Sequence, residues 1–320
     1  MKEFLIVLAA VLPIFILAAA GMLARRREWL TEEADQSLMR LTINVLVPAF
    51  IFEKVLGNPA LLRLGDMFIA PVLGFGAVAL GIGVAGLAAH AAGIGDDRTR
   101  RTFAYVTGLF NYGYVPLPLA LMLFDRETVG ILVVFNLGVE VALWTFGAAL
   151  LSRKEGEPLL RKIFNPSVIT ILITLALNFS GTYPHVPDVL ITAARMLGEC
   201  AIPMGLVLTG AIISDHLHEF HPAHGWRVMS TSCLLRLGLL PVVFLLVAKF
   251  APVPLSLELQ RVLMLQAAMP AAVFPLIMTK HYGGDTVTAM RVIVGTSAIG
   301  LVTIPLWVRF GMKFLGFEMK

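Results

Sequence analysis

Charge is what this sequence lacks most. Only 14% of its 320 residues are Asp, Glu, Lys or Arg, whereas a soluble chain carries roughly a quarter. So sparse a set does not solvate the surface of a water-borne globule of this size, which sets aside soluble enzymes and nucleic-acid modules. Cysteine is nearly absent too. Cys200 and Cys233 are the two present, both inside apolar stretches where a thiol packs as a small hydrophobe, so no disulfide framework is expected. What fills the chain instead is hydrophobic residue, 58% of the total, with a mean hydropathy of +0.84. The few charges cluster between apolar runs long enough to cross a bilayer, so the membrane is the solvent to which this chain is suited. The formal net charge of +4 then reads as loop lysine and arginine that orient a membrane protein.

Hydropathy predicts ten spans, near residues 3–24, 36–56, 66–94, 101–124, 128–152, 165–182, 188–214, 225–250, 256–282 and 285–315. The first is read as a retained helix and not as a signal peptide, because its apolar run is long and Arg25, Arg26 and Arg27 follow it instead of preceding it. Loops after spans 1, 3 and 5 hold Arg25 to Arg27, Arg98, Arg100 and Arg101, and Arg153, Lys154, Arg161 and Lys162. The alternate loops of this half hold little, so the odd-numbered loops are expected in the cytoplasm and both termini on the periplasmic side. The absence of organelle targeting and the short loops fit a multi-pass protein of a bacterial inner membrane.

Ten spans divide into two sets of five, residues 1–152 and 165–320, and the sets look alike. Asn44 to Pro48 in span 2 lines up with Glu199 to Pro203 in span 7, with Arg40 and Arg195 each four residues earlier. Asn111-Tyr-Gly113-Tyr-Val-Pro116-Leu-Pro118 in span 4 corresponds to Gln266-Ala-Ala-Met-Pro270 with Pro275 in span 9, and Asp125 and Asp285 open the next helix in each half. An odd number of spans per half makes the second copy inverted, the plan of alternating-access carriers with substrate held near the midplane. Proline within spans 4 and 9 removes a donor and clashes with the preceding turn, and Gly113 loosens the first of them further. Broken backbone at membrane depth is tolerated only inside protein or beside a wet cavity. Two breaks in matching places therefore point to a binding site, where half-helix amino ends would attract an anion.

At these residues the chain resembles the auxin efflux carrier family, which contains the plant PIN-type carriers and bacterial malonate and malate permeases. The resemblance is carried by Asn44 to Pro48, Asn111 to Gly113 with Pro118, Asn165-Pro166, Pro203 with Gly210, Pro270, and Gly295 to Gly300 followed by Pro305. It covers nearly the whole chain, through the order and spacing of motifs that are individually weak. It implies an all-α membrane protein similar in fold to the bile acid:sodium symporters. Helices 4 and 9 would be broken and crossing, with helices 1, 2, 6 and 7 as scaffold and helices 3–5 and 8–10 as the moving core. A homodimer through scaffold helices is a further implied option. Two departures stand out: Pro116 occupies a position often filled by Gly, and the long cytoplasmic loop of many plant members is absent.

Ionisable groups at membrane depth are candidates for function. Glu140 lies about 12 residues, roughly 18 Å, into span 5, and Arg236 sits at similar depth in span 8. They are expected either to pair or to leave Glu140 as a proton carrier or cation ligand. Asn136, one turn earlier, shares its face, and with Asn111 and Gln266 would offer amide oxygens suited to sodium. Glu199, one turn before Pro203, stands where the resemblance places an amide that recognises a substrate carboxylate. It would have to be protonated beside an anion, which would couple proton and anion movement. The substrate site is thus expected to draw on Asn44, Asn111, Gly113, Pro116, Pro118, Glu199, Pro203 and Pro270, and the coupling ion on Glu140, Asn136, Gln266 or Glu199.

His216, His218, His221 and His224 form a tract in a short loop, with no cysteine beside it, that reads as solvated and not metal-binding. None of the 7 histidines lies beside a serine or cysteine within a span, and no pair of aspartates sits inside one, so an intramembrane enzyme is not expected. The expectation is a secondary active transporter of small organic anions, mono- or dicarboxylates, working by alternating access, proton-coupled and without a cofactor. A sodium-coupled carboxylate symporter and an anion channel of the same fold are the alternatives.

Overall fold

The computed structural model describes residues 2–151, 164–217 and 225–317. In chain order, α1 (Lys2–Arg26) is followed by α2 (Glu32–Leu41) and α3 (Val47–Val55), which a π turn at Thr42–Leu46 joins end to end. A short 3-10 turn leads into α4 (Leu64–Ala91). Next come α5 (Asp97–Gly108), α6 (Pro116–Leu123) and α7 (Arg126–Leu151). Beyond residues 152–163 lie α8 (Pro166–Phe179), α9 (Asp188–Glu199) and α10 (Ala201–His216). After residues 218–224 come α11 (Trp226–Leu234) and α12 (Leu240–Phe250), joined by a second π turn at Leu235–Leu239, then α13 (Leu257–Ala267), α14 (Phe274–His281) and α15 (Thr286–Leu315).

Among the described residues six stretches are long and apolar enough to cross a membrane: α1, α4, α7, α9 with α10, α11 with α12, and α15. The remaining expected spans are helical but shorter or interrupted. Those near 101–124 and 256–282 each come out as two short helices, α5 with α6 and α13 with α14, because Pro116, Pro270 and Pro275 do not continue a helical ladder. Asp125 and Asp285 do open the helices that follow, accepting from the amides of Thr128 (2.9 Å) and Thr288 (3.2 Å).

Both π turns lie just before a proline, Pro48 or Pro241. The wider turn relieves the ring's clash with the preceding backbone, and the carbonyl four residues earlier is left without its helical partner. For Pro241 that carbonyl belongs to Leu237, and the indole Nε1 of Trp307 on α15 donates to it at 2.6 Å. A proline deep in a membrane helix is thus accommodated by one side chain from a neighbour.

Close helix approach depends on small residues, since lipid gives apolar side chains little reason to leave it. Gly74 and Gly138 seat α4 against α7: a Cβ on either would overlap the carbonyl of Phe135 or Pro71. Amide side chains tie the helix ends. Asn178 on α8 donates to the Val55 carbonyl (2.8 Å) and accepts from the Gly57 amide (2.7 Å), while Asn58 donates to the Arg126 carbonyl (2.9 Å).

A candidate transport site at the crossing of two broken segments

The gap between α5 and α6 meets the gap between α13 and α14. Phe110 and Ala271 pair as a short antiparallel bridge. The Asn111 amide donates to the Pro270 carbonyl at 2.8 Å, and the Ala272 amide to the Leu109 carbonyl at 2.9 Å. The two breaks thereby satisfy backbone groups that lipid would leave stranded. The Ala271 amide, which faces away from that pairing, donates to Thr296 Oγ1 on α15 at 3.1 Å.

Each second half-helix starts at this crossing with proline in its first turn, Pro116 in α6 and Pro275 in α14. Asn111 Oδ1 accepts from the Val115 amide at 3.2 Å, so its side chain caps the entry to α6. Beside the crossing lies a cavity of about 390 Å³. Gly113, Tyr114 and Leu117 from the start of α6 and Val273, Phe274 and Ile277 from the start of α14 line it, so two helix amino ends and their partial positive charge border the same space. Across the cavity stand Thr42, Ile43 and Val47 of the π turn and α3, Asn165 and Ser167 at the start of α8, and Ile202, Gly205 and Thr209 of α10. The walls are largely apolar and aromatic, and no Lys, Arg or His side chain is among the lining residues described.

Among the described residues one carboxylic acid lines this cavity. Glu140 of α7 accepts from the Tyr112 hydroxyl at 2.9 Å, and Trp144, one turn along α7, lines the cavity beside it. One turn earlier Asn136 donates to the Tyr112 carbonyl at 2.8 Å. Gln266 of α13 is fully buried behind it, its Nε2 donating to the same carbonyl (3.3 Å) and to Asn136 Oδ1 (3.4 Å), while its Oε1 is buried without a partner. Tyr112 is therefore the hub where both breaks and α7 meet.

Of the residues expected from the sequence, Asn111, Gly113, Asn136 and Glu140 line the cavity and Gln266 stands directly behind it. Pro116 and Pro118 form the first turn of α6, and Pro270 supplies a carbonyl to the crossing. Asn44, Glu199 and Pro203 are not brought there. All three are exposed, Asn44 in the π turn Thr42–Leu46, Glu199 at the end of α9 and Pro203 in α10, and Asn44 Nδ2 folds back onto the Arg40 carbonyl at 2.7 Å. Glu140 and Arg236, considered as an ion pair, have other partners: Glu140 has the Tyr112 hydroxyl, and Arg236 has backbone carbonyls at 3.1 and 3.4 Å. His218, His221 and His224 lie outside the described residues. The aromatic members Tyr112, Tyr114 and Trp144 were not singled out from the sequence. A tyrosine flanking each side of Gly113 inside a break was the available signal.

Residues 6–159 and 155–308 match the membrane transport protein family. An uncharacterized transporter of Methanothermobacter thermautotrophicus is 23% identical over 300 residues, and one of Methanocaldococcus jannaschii is 22% identical over 304 residues. Each alignment covers 93% of this chain and 96% of the relative. A multi-pass helical chain, matched over nearly its whole length, thus belongs to the membrane transport protein family, the family of the auxin efflux carriers.

Proposed function

We propose that this protein is a secondary active transporter that moves a small organic mono-anion together with one proton by alternating access. Its ten spans would form two inverted halves, residues 1–152 and 165–320. Helices 1, 2, 6 and 7 would act as scaffold, and helices 3–5 and 8–10 would carry the crossing between inward- and outward-facing states. The observation that carries the reading is the cavity itself. Two half-helix amino ends and one carboxylic acid border a space that is otherwise apolar and aromatic.

The amino ends and Asn111 would receive the substrate carboxylate. With no guanidinium or ammonium among the described lining residues to hold a second carboxylate, an anion with one carboxylate and an apolar or aromatic body is favoured over malonate or malate. Glu140 would bind the co-transported proton, because an ionised acid beside a bound anion is repulsive in so dry a site. The proton role falls to Glu140 and not to Glu199, since only Glu140 lines the cavity. A sodium ion would find two of its expected oxygens engaged, since the Tyr112 carbonyl accepts from two amides and Asn136 Oδ1 from Gln266, with Gln266 Oε1 the buried amide oxygen left open among the described residues.

The experiment is uptake into liposomes of a labelled aromatic monocarboxylate, malonate and malate under an imposed pH gradient without sodium. The aromatic monocarboxylate is expected to accumulate above equilibrium and the dicarboxylates are not. Glu140→Gln should abolish accumulation driven by the gradient while leaving exchange across the membrane. Accumulation of malonate alone, or full gradient-driven uptake by Glu140→Gln, would sink this assignment.

A further inference from the structure

Among the described residues Arg236 is the largest fully buried side chain, and no carboxylate among them forms an ion pair with it. A buried charge without a partner is costly, so its surroundings must supply compensation. Arg236 lies in the second π turn, and its Nε donates to the Met269 carbonyl (3.1 Å) and its Nη2 to the Gln266 carbonyl (3.4 Å). These carbonyls lie at and just beyond the carboxyl end of α13, where partial negative charge collects when a helix stops inside protein. The guanidinium also lies 5.1 Å from the ring centre of Phe110 and 5.3 Å from that of Phe244, within range of cation–π attraction. Carbonyl oxygens at a broken helix are also what a hard monovalent cation would coordinate.

We infer that Arg236 is a resident counter-cation of the crossing, occupying the place that a mobile coupling cation would otherwise fill at the carboxyl end of α13. A hydrogen-bonded link joins it to the cavity. Arg236 donates to the Gln266 carbonyl, the Gln266 side chain donates to the Tyr112 carbonyl, and the Tyr112 hydroxyl donates to Glu140. The charges then balance in both forms of the carrier. When the cavity is empty and Glu140 ionised, Arg236 offsets Glu140; when Glu140 holds a proton and a mono-anion is bound, Arg236 offsets the anion. Glu140, Tyr112 and Tyr114 are the titratable groups among the lining residues described. The crossing could thus reorient without net charge in either form. This part of the inference rests on the transport reading; the placement of a fixed cation on the α13 carbonyls does not.

The first test uses the purified full-length protein and needs no substrate. Arg236→Ala uncovers the carbonyl oxygens, so low millimolar guanidinium or sodium should raise its thermal unfolding midpoint by several degrees relative to choline. The wild type should show no such response. A variant indifferent to all three cations, or a wild type that sodium stabilises equally, overturns the inference. If Arg236→Ala does not fold, Arg236→Lys decides: it keeps the charge and should be as indifferent to sodium as the wild type, and stabilisation by sodium would count against the idea. In liposomes, wild-type uptake should run equally in sodium and choline, and Arg236→Lys should keep it within about tenfold. Arg236→Gln should lose uptake and regain part of it with guanidinium; unimpaired uptake by Arg236→Gln refutes the counter-cation role. A wild type that carries no organic anion under any gradient refutes the transport reading, and the unfolding measurements still decide the placement of the cation.

Discussion

Gly205 on α10 faces the ring of Tyr114, and a Cβ built there would overlap the ring. Both residues line the cavity, so their contact spans from the broken segment to the opposite wall. Gly205→Ala should therefore disturb the site more than the fold. Alanine favours a helix over glycine by about 1 kcal/mol, which offsets part of the roughly 1–3 kcal/mol that overpacking costs. The thermal midpoint is thus expected to move little. The ring has to leave its position, and if the displaced position carries that same 1–3 kcal/mol, substrate affinity falls by about 5- to 160-fold. Initial uptake rates over a range of substrate concentrations measure this, beside unfolding of the same preparations in detergent. Tyr114→Val supplies the control, because it removes the ring with which the new methyl collides. Whatever Tyr114→Val costs alone, adding Gly205→Ala to it should cost almost nothing more. Wild-type uptake by Gly205→Ala, or an undiminished effect of it in the Tyr114→Val background, would show that this contact does not shape the site.

Trp307→Phe should destabilise the protein by about 1–3 kcal/mol, since it strands the Leu237 carbonyl that Pro241 leaves without a helical donor. In a Pro241→Ala background the restored backbone N–H should shrink that loss to less than half, as read from thermal unfolding of the four proteins; an equal loss in both backgrounds counts against this account. Asp125 caps α7 and meets Arg261 at 2.6 Å. Partial burial acts to raise its pKa, but the hydrogen bonds from Thr128 and Arg261 and the Arg261 charge outweigh it and hold the carboxyl below its ordinary value. A depressed pKa contributes stability above the unfolded value, near 3.9, that is lost as pH falls through the folded one. Asp125→Asn keeps an oxygen to cap α7 but loses the charge beside Arg261, so the advantage of wild type over it, about 0.5–1 kcal/mol, should hold from neutral pH to about pH 4 and fade below it; an advantage that grows on acidification contradicts the assignment. Glu199→Gln should leave the pH dependence of uptake unchanged, because the residue is exposed away from the cavity, and a shifted pH profile would return the proton role to it.

What could be seen in the sequence was whatever rests on local chemistry. Apolar runs mark membrane helices wherever they fold, proline breaks a ladder at its own position, and Asp125 and Asp285 cap the helix that begins beside them. The two breaks, and Asn111, Asn136, Glu140 and Gln266 around them, were accessible for that reason. The direction in which Asn44 and Glu199 face was not. Asn44 lies inside the π turn Thr42–Leu46, where the extra residue rotates the helix face relative to a count by 3.6, and Glu199 ends α9 at the join with α10 before Pro203. Repeat matching identifies such positions as equivalent without saying whether they face inward.

Arg236 shows the same limit from the other side. A search for its partner among acidic side chains leads to Glu140, the buried acid at matching depth, because backbone carbonyls have no letter in a sequence. Its actual partners face it only because α13 stops at Ala267: the Gln266 carbonyl then accepts from the Met269 amide of a closing turn at 3.3 Å as well as from Arg236, and the Met269 carbonyl lies beyond the helix. The proline-bearing break therefore does two things at once. It turns the amino ends of α6 and α14 toward the cavity, where an anion would sit, and it exposes at the carboxyl end of α13 the negative pole that a buried guanidinium covers. Neither pole would exist in a continuous helix, and this gives a physical reason for placing the site at the break.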